Sequence, residues 1–312
     1  MHETLHSPLV YILLLNYRGT DDTLACLDSL RALDYPDRRI VVIDNASPDN
    51  AVERLQARLS QFPGEFHFIQ SSQNLGFSGG NNLGIRYALE EAGVEADAYI
   101  WLLNNDTTIA PDALTHLVQE SQKTGGLVGS LLLYPDGGYQ QVGTHIRWWT
   151  GGTKGYRDSE IDDGMPVETL TGASLLIPFK SLRAVGLLEE QFFLYFEDGE
   201  YSLRCARQGF PLTIALKSKV FHKEGATTGR KSLNTQYYYH RNRMILLQQY
   251  ANPLQWLSIQ AYTAFRMLRT GVKSLLDPEP ERKLSAKVQW IALRDYYRGV
   301  RGPCPHNLES LR

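Results

Sequence analysis

The run Tyr99 to Thr108 (YIWLLNNDTT) passes abruptly from apolar residues to amides and one carboxylate. A short apolar run closed by polar turn residues is the pattern of a buried central strand whose polar end points out of its sheet. Strand side chains alternate, so Asn104 and Asp106 should share a face while Asn105 points away. Asp106 could then hold a cation against a phosphate. The same Asn-Asn-Asp-Thr is also an ordinary turn signal ahead of a helix opened by Pro111. A second acidic cluster lies in Phe192 to Gly209 (FFLYFEDGEYSLRCARQG), where aromatic residues deliver Glu197 and Asp198 to the start of an expected helix. The positive end of a helix dipole favours carboxylates there, for chemistry or for capping. In Asn74 to Asn82 (NLGFSGGNN), the close-set glycines 76, 79 and 80 suggest a loop whose amides could line a phosphate or ribose, or a plain connector.

The elements that must position these groups follow a regular alternation. Leu9 to Leu15, Ile40 to Ile43 and Phe66 to Gln70 read as buried strands. Between them lie a helix carrying Leu24, Leu27 and Leu30, capped by Thr20 or Asp21, and a helix through Val52, Leu55 and Leu59, with Ser47 as cap and Pro48 at its first position. Strand and helix in turn, up to the Tyr99 strand, predict an α/β fold with a mostly parallel sheet flanked by helices. The turn after the first strand lacks G-x-G-x-x-G, which disfavours a dinucleotide-dependent hydride transfer. Leu127 to Tyr134 and Tyr139 to Trp148 predict an antiparallel extension, with Thr150 to Tyr156 as a glycine-rich, mobile loop. Thr171 to Pro178 reads as a further buried strand, and Leu212 to Leu216 and Lys219 to Phe221 as two short ones. From residue 236 the chain reads as a C-terminal helical extension (236–312) on a first domain (1–235). Within it Leu254, Leu257, Ala261, Ala264, Leu268, Val272 and Leu275 keep helical spacing, with Arg266, Arg269 and Lys273 on another side. A helix packed on the first domain is the plainer expectation and an interfacial membrane contact through 254–276 the sharper one. Pro278 and Pro280 should end it, and Ser285 to Tyr297 should form one more helix.

Composition narrows the function class. A hydrophobic share of 43% and a charged share of 21% are ordinary for a globular chain, and disorder is excluded as the default. With 32 basic against 34 acidic residues the net charge is −2, so no overall field marks nucleic acid as a partner. Cys26, Cys205 and Cys304 are too scattered for a disulfide framework or paired metal ligands, which points to a reducing, cytoplasmic setting. The run Leu9 to Leu15, after His2, Glu3 and His6, is too short for a signal peptide.

Taken in order, these motifs resemble the inverting family-2 glycosyltransferases, and more narrowly their rhamnosyltransferase-like and galactofuranosyltransferase-like branch. The resemblance runs from about Val10 to Tyr250. It rests on Asn16-Tyr17, Asp44-Asn45-x-Ser47-x-Asp49, Asn74-x-Gly76-Phe77-x-x-Gly80-Asn81 and Asn104-Asn105-Asp106. It continues through Thr171-Gly172-Ala173, Phe193-x-Tyr195-x-Glu197-Asp198, Arg204, His222-x-x-Gly225 and Arg241-Asn242-Arg243. The resemblance implies the GT-A fold and transfer of a sugar from a nucleoside diphosphate to a saccharide or lipid-linked acceptor. It assigns Asn16, Asp44, Asn45, Asn74, Gly76, Gly80, Asn81 and Asn104 to the donor, and Asp106 and His222 to Mn²⁺ or Mg²⁺. Asp198, with Glu197 as the alternative, becomes the general base. The chain departs from the family's D-x-D motif at Asn104, which offers a neutral oxygen where a carboxylate is usual. It departs again at Glu200 and Tyr201, where Asp and Leu are usual. A uridine or thymidine diphosphate donor is expected, with dTDP-rhamnose first and UDP-galactofuranose or a UDP-hexose next. An inactive nucleotide-sugar-binding protein and a nucleotidyltransferase are the alternatives, and an oligomer is compatible with the sequence.

Overall fold

The computed structural model describes residues 7–62, 64–93, 96–223, 232–276 and 279–312. The expectations for His2, Glu3, His6, Gly225 and Pro278 lie outside them. The first half is β1 (Leu9–Asn16), α1 (Thr20–Leu30), β2 (Arg38–Asp44), α2 (Ala51–Leu59), β3 (Phe66–Gln70), α3 (Gly76–Ala92) and β4 (Ala98–Asn104). There follow β5 (Thr107–Ile109), α4 (Ala113–Thr124), β6 (Leu127–Leu133), β7 (Tyr139–Gln141), β8 (Gly143–Arg147), β9 (Gly152–Gly155), β10 (Thr169–Leu170) and β11 (Ser174–Pro178). The chain ends with α5 (Phe179–Val185), α6 (Glu197–Arg207), β12 (Leu212–His222), α7 (Leu233–Tyr250), α8 (Pro253–Leu276) and α9 (Pro280–Tyr297).

The main sheet has the order β3-β2-β1-β4-β11-β6-β12-β5, with β7 paired to β6. β1 to β4 are parallel, and β11 runs antiparallel between β4 and β6. Helices cover both faces of this sheet, which is why its strands read as unbroken apolar runs. Val10, Ile12, Leu14, Trp101 and Leu103 meet α1, α2 and α4, while Tyr11, Leu13, Ile100 and Leu102 meet the side of α3, α5 and α6. Trp101 is fully buried at the centre, its indole N–H donating to Ser174 Oγ at 2.9 Å. Its loss to alanine would cost about 3–5 kcal/mol.

Several expected details are corrected. Neither Thr20 nor Asp21 caps α1, which follows Gly19, and Ser47 does not cap α2, which follows Asn50. The Ser47 hydroxyl instead accepts from Asn16 Nδ2 and Arg18 N, so tertiary bonding competes with the cap. The glycine-rich stretch is no loop beyond Leu75; it is the start of α3. A Cβ on Gly80 would stand 2.5 Å from Leu15 Cδ1, and one on Gly84 3.0 Å from Ile43 Cδ1. These glycines let the helix settle close on the sheet, and this packing outweighs their poor helix propensity. Tyr139 to Trp148 divides into β7 and β8, which belong to different sheets, and the expected mobile loop holds β9, paired with β8 in a β10-β8-β9 sheet. The two short strands near residue 217 are one strand, β12, with a register shift between Ala215 and Lys219. The expected boundary at residue 235 falls inside the first turn of α7. In α8 the apolar series Leu254, Leu257, Leu268 and Val272 faces outward, and Ile259, Thr263 and Met267 are the buried residues. A threonine in that buried row hides its periodicity.

Candidate active site

The C-terminal ends of β1, β2 and β4 bring one group of polar residues together. In register, Asn16 stands beside Asp44, and Asn16 Nδ2 donates to Asp44 Oδ1 at 2.9 Å. Ser47 N donates to the other carboxylate oxygen, and both side chains are buried. A carboxylate bonded at both oxygens still has lone pairs for a further donor. Asn45 Nδ2 donates to Asn74 Oδ1 and to Gly76 O, both at 3.0 Å, and its own oxygen accepts from Leu75 N. This ties the end of β2 to the start of α3. Gly76 has a φ of 70°, and a Cβ there would come within 2.2 Å of Phe193 O. Gly80 and Asn81 are buried in α3, the Asn81 amide donating to Phe77 O of the same helix.

A second group forms where β4 ends and β12 meets β5. The pairing of His222 with Thr107, and the bond from Lys223 N to Asp106 O, set the imidazole beside the carboxylate. His222 Nε2 lies 3.1 Å from Asp106 Oδ1 and 3.3 Å from Asn104 Nδ2. Asn104 and Asp106 therefore share a face, as the alternation implies, although Asn105 and Asp106 lie in a turn beyond β4. Asn105 points the other way, donating to Thr23 Oγ1, which in turn donates to Asn16 Oδ1. Gln140 Nε2 donates to the His222 carbonyl, so its oxygen faces Nδ1 at 2.8 Å and makes that nitrogen the donor. Nε2 then turns a lone pair toward a carboxylate oxygen. The Asn104 amide N–H donates to that lone pair, and one imidazole and one carboxylate, joined by the Asn104 oxygen once its amide turns over, suit a divalent ion. Among the described residues no group of three or more His, Cys, Asp or Glu side chains gathers to hold a metal.

The acidic pair opens α6. Asp198 is half-buried, its Oδ2 accepting from Gly172 N at 2.9 Å and its Oδ1 from Gly199 N at 2.7 Å. Burial raises its pKa, and the backbone N–H groups oppose that rise without cancelling it. Glu197 is buried with Oε2 unbonded. Burial first, and then the charge of Asp198, push its pKa well up. The segment Thr171-Gly172-Ala173 links this pair to the His222 group, since Gly172 N serves Asp198 and Ala173 O accepts from Asn104 N at 3.0 Å.

The approach to the pair is strained. Phe193, Tyr195 and Phe196 have φ of 64°, 67° and 76°, a region that costs residues with side chains about 1–3 kcal/mol each. Asn242 on α7 holds the segment, its amide donating to Phe192 O, Leu194 O and Tyr195 O at 2.7, 2.8 and 3.0 Å. Arg241 Nε donates to Asn242 Oδ1, and Nη2 reaches Phe192 O and Gly302 O. On the other side, Phe193 O accepts from Phe77 N at 2.6 Å. Sequence reading marks Thr171-Gly172-Ala173 and Arg241-Asn242-Arg243 as motifs without a role, and misses Thr23 and Gln140 as supports. Only the closeness of two distant segments reveals them.

Comparison with known proteins identifies the family of the chain. The family model for glycosyl transferase family 2 matches residues 11–181. The chain is 26% identical over 243 residues to a low-salt glycan biosynthesis hexosyltransferase of Haloferax volcanii, covering 75% of this chain and 74% of that one. It is 25% identical over 272 residues to the N-acetylglucosaminyl-diphospho-decaprenol L-rhamnosyltransferase of Mycobacterium tuberculosis, covering 78% and 87%. A dTDP-rhamnosyl transferase of Shigella flexneri is 24% identical over 282 residues, covering 86% and 89%. In fold it is similar to a mannosyltransferase from Pyrobaculum calidifontis solved with GDP-Man and Mn²⁺, with a TM-score of 0.59, 15% identity and 94% and 88% coverage. It is also similar to S. aureus TarS solved with UDP-GlcNAc, with a TM-score of 0.57, 14% identity and 97% and 83% coverage. With the fold that these structures share and a family match over more than half its length, the chain belongs to glycosyl transferase family 2.

Proposed function

We propose that this glycosyltransferase moves a hexose, L-rhamnose from dTDP-rhamnose first, to a hydroxyl of a saccharide or lipid-linked acceptor in cell-surface polysaccharide synthesis, with inversion at the anomeric carbon. The observation that carries the reading is the Gly172-Ala173 bridge, which fixes Asp198 on one side and Asn104, with its neighbours Asp106 and His222, on the other. The rhamnosyltransferases of Mycobacterium tuberculosis and Shigella flexneri favour the sugar and, in the first case, a lipid diphosphate acceptor.

On this reading Asn16, Asp44, Asn45 and Asn74 hold the nucleoside, with the Asp44 carboxylate accepting the imide N–H of a pyrimidine. Asp106 and His222, with the Asn104 oxygen, would hold Mn²⁺ or Mg²⁺, which when bound offsets negative charge on the leaving diphosphate. Asp198, oriented by two backbone N–H groups, takes the proton of the acceptor hydroxyl. The acceptor oxygen then bonds to the anomeric carbon from the face opposite the diphosphate, and the electron pair of the breaking bond stays on the phosphate oxygen. Glu197 is the more buried of the two and has an oxygen without a partner, while Asp198 is bonded by two backbone N–H groups, which favours Asp198 as the base.

Calorimetry with UDP, dTDP, GDP and ADP in the presence of Mn²⁺ tests the nucleoside assignment. UDP and dTDP should bind more tightly than either purine nucleotide, and tighter binding of GDP or ADP would refute it.

A further inference from the structure

The outward face of α8 is the largest feature that catalysis does not use. Leu254, Leu257, Phe265, Leu268 and Val272 are 69%, 67%, 60%, 68% and 50% exposed. At about 100° per residue they fall, with Ala261, on one arc roughly 80° wide that runs about 27 Å along the helix. Beside it Trp149 is 60% exposed, its backbone oxygen accepting from Ser258 Oγ of α8 at 2.8 Å. Single exposed apolar residues are ordinary, but a continuous stripe of this size marks a contact surface.

Charge identifies what it contacts. Arg266, Arg269 and Lys273 lie on one flank, between the exposed stripe and the buried row Ile259, Thr263 and Met267, and Pro253–Leu276 contains no Asp or Glu. Arg243 of α7 is buried close by, and burial, together with the charge of Arg266, holds its guanidinium below the usual arginine value. Within α8, positive charge therefore accumulates with no carboxylate of its own helix beside it. Packing two copies stripe to stripe would set these cations against a helix with no carboxylate. An anionic bilayer, apolar below and negative at its rim, matches both features.

We propose that α8 lies along the surface of an anionic bilayer. The leucines, Phe265 and Val272 enter the acyl boundary, while Arg266, Arg269, Lys273 and the Trp149 ring sit at the headgroups. No described helix is long and apolar enough to cross a membrane, so the contact is peripheral. Beyond Trp149 the chain continues into β9, where Thr153 contacts the Tyr239 hydroxyl, and the Tyr239 ring lies 5.3 Å from that of Phe196, next to Glu197. The surface is independent of the donor and base assignments above.

Co-sedimentation of the full chain with vesicles of phosphatidylglycerol and phosphatidylcholine, or of phosphatidylcholine alone, tests it. The wild type should bind the anionic vesicles at low salt and lose them at high salt. The triple variant Arg266→Gln/Arg269→Gln/Lys273→Gln should bind roughly a hundredfold more weakly, from about fivefold for each basic residue. Leu257→Ser/Phe265→Ser/Leu268→Ser should fail to bind, while circular dichroism and donor hydrolysis in solution stay those of the wild type. Wild-type indifference to anionic vesicles, or equal binding by both variants, would overturn the proposal. A wild-type dimer in light scattering that the serine variant dissociates, without vesicle binding, would assign the stripe to a second copy instead.

Discussion

His222 and Glu197 are two buried side chains whose surroundings differ, one beside Asp106 and the other with an unbonded oxygen. If His222 and Asp106 share a cation, His222→Ala should remove the Mn²⁺ dependence of UDP or dTDP binding, and Asn104→Asp should tighten it by adding an anionic oxygen. Titrations with and without Mn²⁺ decide this, and an unchanged dependence in His222→Ala returns the histidine to a packing role. Glu197 makes a different prediction. Its folded pKa lies well above its ordinary value, so the folded state binds the extra proton. The stability it allows is fully present below the ordinary glutamate range and is lost as pH rises through the folded pKa. Glu197→Gln should therefore raise the melting temperature at neutral pH, with the gain vanishing in acid. No gain at neutral pH would mean that the carboxylate is better solvated than its burial implies.

At the scale of elements, α7 sets the shape of the acidic loop. The two amide hydrogens of Asn242 are shared among three carbonyls of a segment with three left-handed residues, so Asn242→Ala takes this donor from Leu194 O and Tyr195 O, while Phe192 O keeps Arg241 and Leu194 N, and should cost about 2–3 kcal/mol in denaturant unfolding. Because the strained segment leads directly into Asp198, kcat should fall about tenfold or more while donor affinity holds. Equal loss of kcat and donor affinity would mark Asn242 as a general structural residue. Its place in the Arg241-Asn242-Arg243 motif was visible in the sequence, but its target was not, since hydrogen bonds across some fifty residues leave no local pattern. The glycines of α3 misled for a related reason. Propensity reads them as loop, and only the approach of Leu15, Leu13 and Ile43 explains them as helix. The strands carried far more information, because a sheet buried on both faces writes itself as apolar runs that end where polar chemistry begins.

For the whole molecule, the alternation of strands and helices, the ends of β1, β2 and β4 and the order of the motifs made the fold and the family legible. The antiparallel half was less so, since β7 and β8 follow one another in the chain and yet join separate sheets. For α8, helical periodicity found an apolar side without saying what covers it, which left a packed helix and an interfacial one both open. The central claim concerns net chemistry, and donor turnover over a panel of nucleotide sugars, with Mn²⁺ or with chelator, tests it most directly in the wild type and in Asp198→Asn. The account predicts Mn²⁺-dependent consumption of a pyrimidine-linked donor, dTDP-rhamnose foremost. Turnover should fall by roughly two to four orders of magnitude in Asp198→Asn, with donor affinity nearly unchanged. Wild-type protein inert toward every donor, or Asp198→Asn as fast as the wild type, would contradict it.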